Sequence, residues 1–98
     1  MEKVNHPAHY NMPGKKECIV QMREDYGDYI TAVFCITSAY KYIYRAGNKP
    51  GELESDDMKK AKWYYNYILD ELEIDWETVD TDFGNLFLYV KEALYANG

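Results

Sequence analysis

Apolar side chains recur at helical spacing along most of the chain, and no alternating strand pattern competes over more than a few residues. Cys18, Ile19, Met22 and Tyr26 place a first helix over about residues 16–26, ended by Gly27. Asp28 is a candidate N-cap for a second helix over about residues 29–46, and Gly47 sits where a C-terminal cap belongs. Residues 47–54 hold two Gly and one Pro and read as a loop. Ser55 followed by Asp56 and Asp57 starts a third helix: a capping hydroxyl, then acids in the first turn. That helix runs to about Leu72 with an apolar stripe of Met58, Ala61, Tyr65, Ile68, Leu69 and Leu72. Residues 73–81 are acidic, with a short helical turn expected around Trp76 to Val79. Thr81 or Asp82 caps a last helix to about Tyr95, with Phe83, Leu86, Phe87, Val90 and Leu94 inward and Asn97-Gly98 closing it. The pattern predicts an all-α, four-helix domain over residues 15–98. Before it, residues 1–14 form a loop arm carrying Pro7, Pro13 and Gly14.

Composition changes this picture in one respect. With 98 residues the chain is one domain, and 47% hydrophobic with 29% charged residues is globular composition. Tyrosine is the outlier, at 11 positions, beside 2 Trp and 3 Phe. A core of this size has limited room for so many rings, which points to a homo-oligomer interface or a ligand site.

Charge is unevenly spread. The net formal charge of -6 argues against general nucleic-acid binding, which needs basic surface. Seven acids and no base lie between Asp70 and Asp82, most simply a solvated face. Six of the eleven bases lie between Lys41 and Lys62. Two cysteines, Cys18 and Cys35, make neither a disulfide framework nor a zinc set and read as reduced thiols. The N-terminus lacks the apolar stretch of a signal peptide, and the longest uncharged run, residues 29–40, is too short to span a membrane. A cytoplasmic protein is expected.

The second helix is mostly apolar or aromatic, yet Lys41 and Arg45 lie four apart on it, with Thr37 and Ser38 one turn earlier. Charges on so greasy a helix need partners. They meet either acids (Asp56, Asp57 or Glu17) or a phosphate or carboxylate ligand. The third helix offers Asp57, Lys60, Ala61 and Tyr64 on one side and Lys59 with Trp63 on a neighbouring one. These are either a polar seam between helices or groups that orient a ligand. Trp63 and Tyr64 are either core rings or a stacking surface for a base. His6 and His9, the two histidines of the chain, sit in the arm. Without further ligands they do not make a metal site, and an anion contact or acid–base role suits them better. No Gly-x4-Gly-Lys-Ser/Thr phosphate loop occurs. Glu54–Asp57 and Glu77–Asp80 have the Glu-x-x-Asp spacing of helical pyrophosphohydrolases, but Glu-x-x-Glu is missing.

The chain resembles a family of small bacteriophage proteins, the SaV-like family, which includes a phage nucleotide kinase without a P-loop. The matching pieces are Val-Asn-His-Pro-Ala-His-Tyr (4–10), Lys-Glu-Cys-Ile (16–19), Phe34, Lys41-Tyr42, Arg45-Ala46-Gly47-x-Lys49 and Asp57-Met58-x-Lys60-Ala61-x-Trp63-Tyr64. Thr37-Ser38 stand where the family usually shows a small residue followed by Asn. The resemblance implies a nucleotide-related role in the cytoplasm of a phage-infected host cell. Carried over position by position, His6, His9, Glu17 and Asp57 become catalytic candidates. Tyr10, Lys41, Arg45, Lys49, Lys60, Trp63 and Tyr64 become substrate-binding candidates. No resident metal is implied, and magnesium enters only with a nucleotide.

Three functions compete. One is phosphoryl transfer to a nucleoside monophosphate, with the cations neutralising phosphate oxygens and an aromatic ring on the base. The second is sequestration of a nucleotide or nucleotide-derived host defence signal, without chemistry. The third is an acidic effector that inhibits a host enzyme through the 70–82 stretch.

Overall fold

A computed structural model describes residues 16–48 and 54–95. They form three helices, α1 (Cys18–Arg45), α2 (Glu54–Glu71) and α3 (Thr81–Tyr95). The all-α expectation therefore stands, but the count of four does not: the expected first and second helices are one element. Gly27 departs from helical geometry inside it, with φ 90° and ψ 175°. A single residue in that region bends the path without supplying a loop, so the break becomes a kink. Asp28, expected as an N-cap there, has another role. Its carboxylate takes a two-point contact from Arg23, Nε to Oδ1 at 2.9 Å and Nη2 to Oδ2 at 3.2 Å. The same Oδ2 accepts the backbone N–H of Glu73 at 2.6 Å. That carboxylate thereby ties both sides of the kink to the end of α2.

The ends of the helices follow local rules. Gly47 adopts a positive φ of 78° just past α1, and the Asn48 N–H reaches the Arg45 carbonyl at 2.8 Å. α2 begins at Glu54, one residue before the expected Ser55 cap, with Glu54, Asp56 and Asp57 in its first turn. Asp80, rather than Thr81 or Asp82, caps α3: its Oδ2 accepts the Asp82 N–H at 2.9 Å, and its carbonyl accepts the Gly84 N–H at 3.0 Å. Between α2 and α3 the expected helical turn near Trp76 is a non-helical turn. It is held by the Asp75 side chain on the Glu77 N–H and the Asp75 carbonyl on the Thr78 N–H.

The core lies where the three helices meet. From α1 it takes Ala32, Cys35, Ile36 and Ala39, and from α2 Ala61, Tyr65 and Ile68; Phe83, Val90 and Leu94 come from α3. The small residues Ala32, Ala39 and Ala61 have no exposed surface, which lets α1 and α2 approach closely. Leu69, expected inward, is half exposed, because it lies beyond the edge of the stripe that Tyr65, Ile68 and Leu72 occupy. Among the described residues no helix is long and apolar enough to cross a membrane. The expected arm over residues 1–14, with His6, His9 and Tyr10, and the expected Lys49 contact lie outside the described residues.

Candidate functional site

The α1–α2 packing brings together the polar stripes of both helices. Lys41 and Arg45 lie one turn apart on α1, and both head groups lie over the ring of Tyr42. Lys41 Nζ stands 4.5 Å from the centre of that ring and Arg45 Cζ 4.9 Å. Lys60 Nζ, from α2, stands 5.5 Å from it. Three cations from two helices thus converge on one tyrosine, each within cation–π range.

An aromatic platform continues from Tyr42. Its ring stacks on Tyr64 with centroids 6.0 Å apart and planes 13° from parallel. Trp63 meets Tyr64 edge-on at 5.0 Å, and Phe34 does so at 5.7 Å. Trp63 also tilts against Tyr67 at 5.3 Å. Tyr42, Trp63, Tyr64 and Tyr67 are all half-buried, so these rings form a shelf at the edge of the core rather than its centre. Burial raises the Tyr67 hydroxyl above its ordinary range, and the charges of Glu71 and Glu17 push the same way. Glu17, at the start of α1, therefore lies within electrostatic reach of Tyr67, one turn along α2 from Trp63.

Asp57 meets one of these cations, Arg45. It has no exposed surface, and its Oδ1 accepts Arg45 Nε at 3.3 Å. Its Oδ2 is buried and has no hydrogen-bond partner among the described residues. A carboxylate enclosed in this way orients Arg45; it is not open to an arriving substrate. Asp57 was a catalytic candidate, and its place in the fold suits a positioning role.

The structure thus gathers Lys41, Arg45, Lys60, Trp63 and Tyr64 where α1 meets α2, with Asp57 buried against Arg45. Glu17 lies at the opposite end of α1 from Lys41 and Arg45, where its charge acts on Tyr67. Sequence reasoning missed Tyr42 as the centre of the cluster. Part of the signal was available, since Tyr42 precedes Arg45 by three positions on one helix; its contacts with Lys41 and with Lys60 of α2 do not follow from spacing. Among the described residues no group of three His, Cys, Asp or Glu side chains is arranged to hold a metal ion.

A family model described as a protein of unknown function (DUF3310) matches residues 4–66, which includes all of these side chains except Tyr67. No curated protein and no solved structure matches the chain.

Proposed function

The chain belongs to the DUF3310 family, and from the side chains that lie within that match we propose that it binds a nucleotide through its phosphates and transfers a phosphoryl group to a nucleoside monophosphate. One observation carries the reading: Lys41, Arg45 and Lys60 converge on the Tyr42 ring beside an aromatic shelf. Two ammonium groups and a guanidinium fork are the donors that phosphate oxygens need, and Trp63 or Tyr64 offers a π-face for a base. Asp57 fixes the guanidinium before the ligand arrives, which lowers the ordering cost of binding.

Phosphoryl transfer is compatible with a buried Asp57. The acceptor oxygen of a nucleoside monophosphate is already anionic near neutral pH, so no side chain must remove a proton from it. The new bond forms from that oxygen to the donor's terminal phosphorus. The bond from that phosphorus to the bridging oxygen breaks, and the diphosphate leaves with the electron pair. Positioning and charge neutralisation are then the protein's task, and Lys41, Arg45 and Lys60 supply both.

A second reading, sequestration without turnover, uses the same donors. The enclosure of Asp57 suits it equally: among the described residues at the cluster the carboxylate is bound to Arg45, and neither reading asks it for acid–base work.

Phosphorus NMR with nucleoside monophosphates, one triphosphate and magnesium tests both readings. New diphosphate resonances that Lys41→Ala and Lys60→Ala each reduce at least ~10-fold support transfer, because a charge-assisted phosphate contact is worth about 1.5–3 kcal/mol. Shifted resonances without product support sequestration. Unchanged spectra overturn both.

A further inference from the structure

On α1, Ile30, Val33, Thr37, Tyr40 and Tyr44 follow one another at spacings of three, four, three and four. That is the repeat by which one helix presents a seam to another. All five are exposed, Tyr44 to 76%, while the core face of the same helix (Ala32, Cys35, Ile36, Ala39) points away from them. Thr37 adds little polarity to the seam. Its hydroxyl donates to the Val33 carbonyl at 2.8 Å and stands 3.1 Å from that of Phe34. Tyr40 stacks on Tyr44 at 6.4 Å and touches Tyr89 of α3 at 5.7 Å, so the patch continues onto the third helix.

We infer that this face of α1 pairs with the same face of a second copy of the chain, antiparallel, about a two-fold axis near Thr37. The spacing is self-complementary in that orientation. Ile30 and Tyr44 are each seven residues from Thr37, so Ile30 of one protomer opposes the partner's Tyr44. Val33 and Tyr40 lie four and three residues from it, so a small side chain meets a large one. The threonine at the crossing point lets the backbones approach.

Charge selects the same orientation. The Gly27 end of α1 carries Glu24, Asp25 and Asp28 against Arg23 and the adjoining Lys16, which pairs with Glu24, and so stays net acidic, whereas the other end carries Lys41 and Arg45 and no acid. Antiparallel copies bring unlike ends together, and parallel copies bring like ends together. The area suffices as well. The exposed parts of the seam with Phe34 and Tyr89 amount to roughly 600 Å² per copy, near the ~800 Å² that each partner of an ordinary stable complex buries. An apolar patch of that size stands at the upper end of what monomers expose, a range that is often functional.

Sedimentation velocity of the full chain, with cysteine cross-linking in a Cys18→Ser background, tests the pairing. The expected result is a dimer at tens of micromolar that Ile30→Lys and Tyr44→Lys each weaken at least ~10-fold, with helical circular dichroism unchanged. Thr37→Cys should link to itself on oxidation. Ile30→Cys should not, but should link to Tyr44→Cys when the two are mixed. A wild-type chain that stays monomeric at ~100 μM overturns the inference and leaves the face to a different protein. Association untouched by both lysine variants overturns the choice of face. Self-linking of Ile30→Cys as readily as Thr37→Cys overturns the antiparallel arrangement.

Discussion

Arg45 Nε stands 3.3 Å from Asp57 Oδ1, and the two ends of that pair live in different surroundings. The Asp57 side chain has no exposed surface, while that of Arg45 keeps 28% of its own. Loss of either partner therefore has unequal consequences. Without Arg45 the buried carboxylate loses its cation, the costly case for a buried pair. Without Asp57 the arginine can turn toward water. Arg45→Ala is expected to destabilise the fold by about 3 kcal/mol and Asp57→Asn by about 1 kcal/mol. Urea unfolding at neutral pH measures both. Equal costs would mean that the carboxylate is better solvated than its burial indicates.

Tyr42 separates ring chemistry from hydroxyl chemistry in the proposed site. Three cations face its π-system. Tyr42→Phe keeps the ring and should leave nucleotide affinity within about 2-fold. Tyr42→Leu removes the surface that holds Lys41, Arg45 and Lys60 in register, and should weaken binding about 10-fold, since a cation–π contact contributes ~0.5–2 kcal/mol. Isothermal titration with a nucleoside triphosphate gives both numbers. A large loss in Tyr42→Phe would show that the hydroxyl itself touches the ligand.

The parts of this fold that were legible in the sequence are those governed by local periodicity. Ala61, Tyr65, Ile68, Phe83, Val90 and Leu94 are buried at the spacings that announced them. The break at Gly27 was visible as a glycine, but whether a glycine ends a helix or bends it depends on the residues that follow it in space. Here Glu73, 45 positions away in sequence, holds Asp28 at the kink. Spacing of four grouped Lys41 with Arg45, and a first-turn acid was foreseeable at Asp57. Their meeting across α1 and α2, and the convergence of Lys41, Arg45 and Lys60 on Tyr42, are tertiary facts that one-dimensional spacing does not carry. The excess of tyrosine was legible; that Tyr40 and Tyr44 stand on an uncovered face was not, because spacing does not say which apolar face of a helix its neighbours cover.

Asp28 gives the fold an acid-sensitive tie. The hydrogen bond from Arg23, then that from the Glu73 N–H, holds its carboxyl below the ordinary 3.8. The native state therefore binds the proton less readily than the unfolded chain. This contribution is fully present above the unfolded value and is lost as pH falls through the lower native one. Asp28→Asn should cost about 1 kcal/mol at pH 7. The gap between wild type and variant should close below about pH 3.8. Urea midpoints from pH 7 to pH 2.5 trace it. A gap that stays constant would mean that the side chain acts through packing rather than charge.

The two thiols should differ sharply in reactivity. Cys18 is exposed near the start of α1, whereas Cys35 is fully buried, and burial pushes its thiol up to about 12. Thiolate is the reactive form, so Cys35 is both inaccessible and protonated in the native state. Alkylation at pH 8 is expected to modify Cys18 rapidly and Cys35 only after denaturant is added, as mass spectrometry of the peptides would record. Rapid modification of Cys35 in the native protein would require frequent opening of the α1–α2 contact.

Gly27 concentrates a large structural effect in one residue. Its φ of 90° with ψ of 175° lies in a region that side-chain-bearing residues rarely occupy. A Cβ added there meets nothing within 4 Å, so the cost of Gly27→Ala is backbone strain and not a clash. That strain is about 1–3 kcal/mol. Relief by straightening into continuous helix would carry Arg23 away from Asp28, which are now in ion-pair contact. Either way the variant should be less stable, despite the better helix propensity of alanine. Thermal unfolding tests the sign. Combination with Asp28→Asn tests the route. If straightening is the response, the Asp28 contact is already lost and the second substitution adds little. If the kink persists under strain, the two costs add. A gain in stability from Gly27→Ala would mean that the kink is not required by the packing of α1 against α2.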